Sequence, residues 1–152
     1  MTAFNIVEDI IETYEVRSES DVMSSVIAVY TLAKQFGFST PSVSEVSTVV
    51  SELGTNIIRY AQSGVISVWK LEGEDELGIK VIAQDNGPGI EDIAKALEEN
   101  YSTGRSLGLG LPGVKRMVDE FDIETAVGKG TRIQVVKWSC LLYTSPSPRD
   151  DR

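Results

Sequence analysis

The 152-residue chain carries 14 basic and 23 acidic side chains, a formal charge of −9, with 41% hydrophobic and 24% charged residues. That length suits one domain burying roughly 68–70% of its unfolded surface, and the acidic balance argues against non-specific binding to nucleic acid or to an anionic membrane. With one cysteine and no histidine, an internal disulfide, a His-dependent triad, a His zinc site and an in-chain phosphohistidine are excluded, leaving carboxylates as the natural bases.

In chain order, Met1-Thr2-Ala3-Phe4 has no signal-peptide pattern, and no apolar run approaches the roughly 18 residues of a spanning helix. The expectation is a cytoplasmic protein. Ile10 to Val16 reads as a strand, and Ser18 to Asp21 supply capping side chains for a helix over Val22 to Phe36. That helix carries Val22, Val26, Val29 and Ala33 beside Met23, Ile27 and Tyr30, with Gly37 as its C-terminal cap. Thr40-Pro41 opens a second helix with the buried stripe Val46, Val49, Val50, Leu53, Ile57, Tyr60. Val65 to Leu71 and Leu77 to Ala83 are strands joined by the polar loop Glu72 to Glu76. Ile90 to Asn100 reads as helix, Tyr101 to Gly110 as a glycine-bearing loop, and Leu111 to Glu120 as a helix with Pro112 in its first turn. Ile123 to Val127 and Thr131 to Trp138 form a last hairpin around Gly128-Lys129-Gly130.

Hairpins alternating with helical blocks predict an α+β fold: a two-layer sandwich, its sheet mixed but mostly antiparallel, with helices on one face. Residues 8–138 form the domain. Ser139 to Arg152, with two Ser-Pro pairs and no periodicity, reads as a disordered tail resembling translated sequencing-adapter read-through, and stays outside the fold argument.

Three stretches carry candidate chemistry. The strand ending at Ala83 leads into Asp85-Asn86-Gly87-Pro88-Gly89, which places a carboxylate beside backbone that a ligand can approach closely; an ordinary turn uses the same residues. On the second helix Glu52 and Asn56 lie about 40° apart at the edge of the apolar stripe. They are either a solvated polar edge or a base beside an amide oxygen suited to Mg²⁺. Ser106 to Gly113 runs a glycine loop into a helix start, an arrangement that fits an anion or a plain linker; neither the dinucleotide fingerprint nor Walker A spacing is present.

Taken with Gly130-Thr131, the ordered set Glu52…Asn56, Asp85-x-Gly87-x-Gly89 and Gly108-x-Gly110 resembles the nucleotide-binding boxes of the GHKL ATPases, the Bergerat-fold superfamily. Within that group the chain is similar to the small serine/threonine kinases of bacterial sigma-factor and stressosome switches. Leu111-Pro112-Gly113-Val114-Lys115-Arg116 is the most specific stretch, and the likeness covers roughly residues 8 to 138.

The resemblance implies ATP and Mg²⁺ as cofactors. It implies that Asp85 accepts from the adenine amine, with Gly87 and Gly89 letting the ring approach and Thr131 supporting that side. Asn56 is the implied Mg²⁺ ligand and Glu52 the general base, while Gly108, Leu109, Gly110 and Leu111 receive the triphosphate. The implied activity is phosphorylation of a STAS-type anti-anti-sigma or scaffold protein, followed by release to a sigma-factor regulator or phosphatase. The alternative is an anti-sigma factor that sequesters a sigma factor in a nucleotide-dependent way; a retained Glu52 favours the catalyst, because pure binding needs no base. Glu91 to Leu107 is short for an ATP lid, and no separate dimerisation and phosphoacceptor domain is seen, which argues against a sensor histidine kinase.

Overall fold

The computed structural model describes residues 6–98 and 110–140. Strand β1 (Val7–Val16) leads into helix α1 (Glu19–Gln35) and helix α2 (Thr40–Asn56), followed by β2 (Gly64–Glu72) and β3 (Glu76–Asp85). A single turn α3 (Ile93–Ala96), helix α4 (Leu111–Met117) and the hairpin β4 (Glu120–Ala126) and β5 (Gly130–Cys140) complete the described chain.

Helix boundaries follow the capping chemistry. Ser18 Oγ accepts from the Asp21 N–H at 3.3 Å and Ser39 Oγ from the Ser42 N–H at 3.3 Å, each satisfying a donor that the first helical turn leaves unpaired. Helix α1 ends with Gly37 at φ 78°, its N–H donating to Lys34 O while Phe38 N–H reaches back to Ala33 O. The paired bonds and the left-handed glycine make a Schellman ending.

The five strands lie in the order β1-β2-β3-β5-β4, and every pairing is antiparallel. The expected mixed sheet is therefore antiparallel throughout the described residues. Alternation along the strands sends Ile66, Val68, Ile79, Val81, Ala83, Ile133 and Val135 to one face. There they pack with Val22, Val29 and Ala33 of α1, Val46, Val49, Val50 and Leu53 of α2, and Leu111 and Val114 of α4. The opposite face holds Lys80, which lies 4.7 Å from the Trp69 ring centre and pairs with Glu8 at 2.7 Å. No described helix is long and apolar enough to cross a membrane.

Several boundaries move from their sequence-based positions. The expected helix over Ile90 to Asn100 is only the turn α3 among the described residues, because Gly89 takes φ 80° and the Ile90 N–H is held by Thr125 Oγ1 at 2.9 Å. Helix α4 stops at Met117 rather than Glu120. Strand β5 recruits the next residues: Asp119 N–H donates to Val136 O, and Asp119 Oδ2 accepts from Trp138 N–H at 2.7 Å. Lys137 Nζ also bonds Met117 O, at 2.9 Å, placing a cation where the helix leaves carbonyls unpaired. Ser139 and Cys140 belong to β5, paired with Leu77 and Glu76, so the tail boundary at 139 is two residues early. On α1, Met23, Ile27 and Tyr30 face solvent, leaving Val22, Val29 and Ala33 as the buried stripe.

Helices α1 and α2 meet at Gly54, where an added Cβ would lie 2.6 Å from Val22 Cγ1. Alanine gains up to about 1 kcal/mol in helix propensity over glycine, but a forced methyl in a packed interface costs about 1–3 kcal/mol. Val22 is buried and β-branched, with little room to yield. The clash wins. Gly54→Ala lowers stability by about 1–2 kcal/mol in urea unfolding; an unchanged midpoint would mean that the helices separate freely.

Candidate functional site

A cavity of about 370 Å³ opens between α2, the turn after it, and the ends of β3 and β5. The volume falls within the range of small-molecule sites. Its walls are apolar, contributed by Leu53, Ile57, Ala83, Ile90, Leu111 and Ile133, and its polar groups come from Asn56, Asp85, Glu91, Asp92, Lys95 and Thr131. Such walls suit a flat heteroaromatic ring, and a carboxylate at their edge selects hydrogen-bond donors.

Asp85 is the last residue of β3 and sits opposite Thr131 in the β3–β5 register. Its Oδ1 accepts from the Gly87 N–H at 2.8 Å, which fixes the carboxylate and leaves its second oxygen for a ligand. The loop beyond is pressed against the β4–β5 hairpin: Gly128 N–H donates to Pro88 O at 2.8 Å, and a Cβ on Gly89 would collide with the Ala126 carbonyl oxygen. Gly89 takes the left-handed conformation that favours glycine, with φ 80°. Gly87 does not take a positive φ. Its constraint is contact, since a Cβ there would lie 2.7 Å from Ala61 Cβ.

Helix α2 brings Leu53 and Asn56 to the cavity, and the chain then widens into a π-turn over Ile57–Ala61 before Gln62 closes it at φ 73°. Single π-turns cluster at functional sites because they re-aim side chains. Here the turn takes Tyr60 out of the buried stripe expected for it: the residue is 41% exposed and lines the cavity.

Of the residues singled out in the sequence, Asn56, Asp85, Gly89, Leu111 and Thr131 line one cavity. Glu52 is not among the lining residues. It lies to one side, half-buried, against the start of α4, where a Cβ on Gly110 would be 2.5 Å from Glu52 Oε1. Gly110 takes φ 65° and caps α4, outside the lining, as is Gly87. Gly108, Leu109 and the loop expected from Tyr101 onward lie outside the described residues, apart from Gly110. Sequence reasoning missed Tyr60, Ile90 and Lys95 as cavity residues. The only signal for them was adjacency to the Asn56 and Asp85 segments.

Among the described residues no group of three or more His, Cys, Asp or Glu side chains could hold a metal ion. A cation at Asn56 would take one amide oxygen from the protein and its other ligands from a bound anion and water. That donor set fits Mg²⁺, which keeps several waters and shares phosphate oxygens.

Residues 16–137 match the family model of the histidine kinase-like ATPase domain. The chain is similar to serine/threonine-protein kinase RsbT of Bacillus subtilis (strain 168), 42% identical over 123 residues that cover 81% of this chain and 92% of that protein. It is also similar to the anti-sigma F factor of Caldanaerobacter subterraneus subsp. tengcongensis, 30% identical over 120 residues, covering 75% of this chain and 81% of that one. The anti-sigma F factor of Geobacillus stearothermophilus is 29% identical over 138 residues, covering 86% and 92%.

Proposed function

The chain belongs to the histidine kinase-like ATPase domain family, and from that membership we propose that it is an ATP-dependent protein serine/threonine kinase whose substrate is a STAS-domain protein in a sigma-factor partner-switching pathway. The observation that carries this reading is the convergence of Asn56, Asp85, Gly89, Leu111 and Thr131, from four separate segments, on one apolar cavity. Identity of 42% across nearly the whole of a relative named as a serine/threonine kinase supports the reaction class.

In this reading the adenine ring enters between Leu53, Ile57 and Ile133, with its exocyclic amine donating to Asp85. Phosphoryl transfer is mostly positioning and charge stabilisation. Asn56 would hold Mg²⁺ beside the phosphates, where the ion offsets their charge. The segment from Gly108 through Leu111 would receive the triphosphate through backbone N–H groups. Glu52 would take the proton from a serine or threonine hydroxyl as its oxygen bonds to the γ-phosphorus and ADP leaves. Its place beside Gly110, away from the base end of the cavity, suits a group that meets the protein substrate rather than the nucleotide.

The relatives named as anti-sigma F factors support a second reading, in which the domain sequesters a sigma factor according to the nucleotide bound. One experiment separates the two. The full chain is incubated with labelled ATP and Mg²⁺, together with the STAS-domain proteins and sigma factors of its own genome. Stoichiometric label on a STAS protein's serine or threonine is the expected result. A stable sigma-factor complex without any labelled protein would replace kinase with anti-sigma factor. In the same assay Asn56→Ala weakens binding of ATP with Mg²⁺ much more than binding of adenosine, because the lost oxygen serves the phosphate end.

A further inference from the structure

Thr125 was not read as functional from the sequence, and its side chain does not line the cavity. It nevertheless occupies a junction behind the base end. Thr125 Oγ1 lies 2.9 Å from the Ile90 nitrogen, 2.9 Å from the Gly130 carbonyl oxygen and 2.9 Å from Thr131 Oγ1.

A threonine hydroxyl has one proton to donate and two lone pairs to accept with. The Ile90 N–H can only donate, so it occupies one lone pair. The Gly130 carbonyl can only accept, so it takes the proton. One lone pair is left for Thr131, whose hydroxyl must therefore donate to Thr125. With its proton directed backwards, Thr131 offers only lone pairs to the cavity that it lines beside Asp85.

We propose that Thr125 is a positioning residue for base selection. By consuming the Thr131 proton and anchoring Ile90 N–H, it makes the Asp85–Thr131 edge of the site an all-acceptor edge. Such an edge welcomes the exocyclic amine of adenine and repels the carbonyl oxygen that guanine carries at the same place. The inference rests on the adenine-nucleotide reading above and deepens it. It also explains why the β4–β5 hairpin is tied to the Asp85–Ile90 segment: the Gly128 to Pro88 bond and the Thr125 to Ile90 bond hold the two as one unit.

The test is calorimetric titration of the full chain, as parent, Thr125→Val and Thr125→Ser, with Mg²⁺ and either ATP or GTP. Valine keeps the branched strand side chain and removes the hydroxyl, which frees the Thr131 proton and leaves Ile90 N–H unpaired. Thr125→Val is expected to lose about tenfold in ATP affinity with little change for GTP, so that the preference for ATP shrinks about tenfold. Thr125→Ser is expected to restore it. Thr125→Ala, tested beside them, removes the same hydroxyl and carries the same expectation, so a folding failure of the valine variant does not shelter the proposal. Parental selectivity in both Thr125→Val and Thr125→Ala would overturn it, as would equal losses for ATP and GTP or a failure of serine to restore. A parent chain that binds neither nucleotide would overturn the adenine reading and this proposal together.

Discussion

Glu52→Gln lowers phosphoryl transfer to a protein hydroxyl by about 10²–10⁴-fold, the usual worth of a positioned general base, and leaves ATP affinity unchanged. The two halves of that result have separate causes. Glutamine matches glutamate in shape but cannot take a proton, so a chemical step that uses Glu52 as its base would lose it. Affinity survives because Glu52 stands outside the cavity lining, against Gly110 and the start of α4. Single-turnover transfer of labelled phosphate, paired with calorimetric titration, separates the two. A variant that labels its partner at the parent rate would return Glu52 to the solvated edge of α2. A variant that loses nucleotide binding would instead place the carboxylate at the phosphates.

Asp85→Asn weakens ATP binding by roughly 10- to 150-fold, the equivalent of losing a charge-assisted hydrogen bond worth about 1.5–3 kcal/mol. The local geometry makes asparagine a poor substitute. Asp85 Oδ1 is committed to the Gly87 N–H at 2.8 Å. If asparagine keeps that bond with its amide oxygen, its NH₂ group faces the ligand and meets another donor. If it turns to offer oxygen to the ligand, NH₂ faces N–H at the Gly87 turn. Either orientation spoils one contact. Titration with ATP is the measurement, and parental affinity in Asp85→Asn would move the base out of this cavity.

The cavity residues that could be found from sequence are those whose local covalent chemistry is unusual for their place in the chain. Asp85 and Gly89 stand out because a carboxylate and a left-handed glycine are unusual at a strand end. Asn56 stands out because it lies beside Glu52 at the edge of an apolar helical stripe, where the helix borders its neighbour. The hairpin of β2 and β3 was legible from alternation and from its polar loop, closed by Gly73 N–H on Glu76 O.

What could not be read depends on partners distant in sequence. Nothing between Leu111 and Glu120 announces that Asp119 will pair with Val136 and Trp138 instead of continuing a helix. Tyr60 fits the stripe as i+14 of a regular helix, and only the π-turn at Ile57–Ala61 moves it to the cavity. Thr125 is an ordinary strand residue until the β4–β5 register sets it opposite Thr131. In each case a long-range hydrogen bond or a change of helical pitch overrides a sound local preference.

The strand order β1-β2-β3-β5-β4 has a kinetic consequence. The β2–β3 and β4–β5 pairs are local hairpins that form quickly, whereas the β3–β5 seam joins segments far apart in the chain and must await loop closure. Asp85 and Thr131 lie on opposite sides of that seam. A ligand held by both is bound only after the two hairpins have docked, and it resists their parting. Occupancy then deepens the native state by an amount set by ligand concentration over Kd. The interval between unfolding events would lengthen as the nucleotide supply of the cell rises, and the exposure of this chain to proteolysis would fall with it.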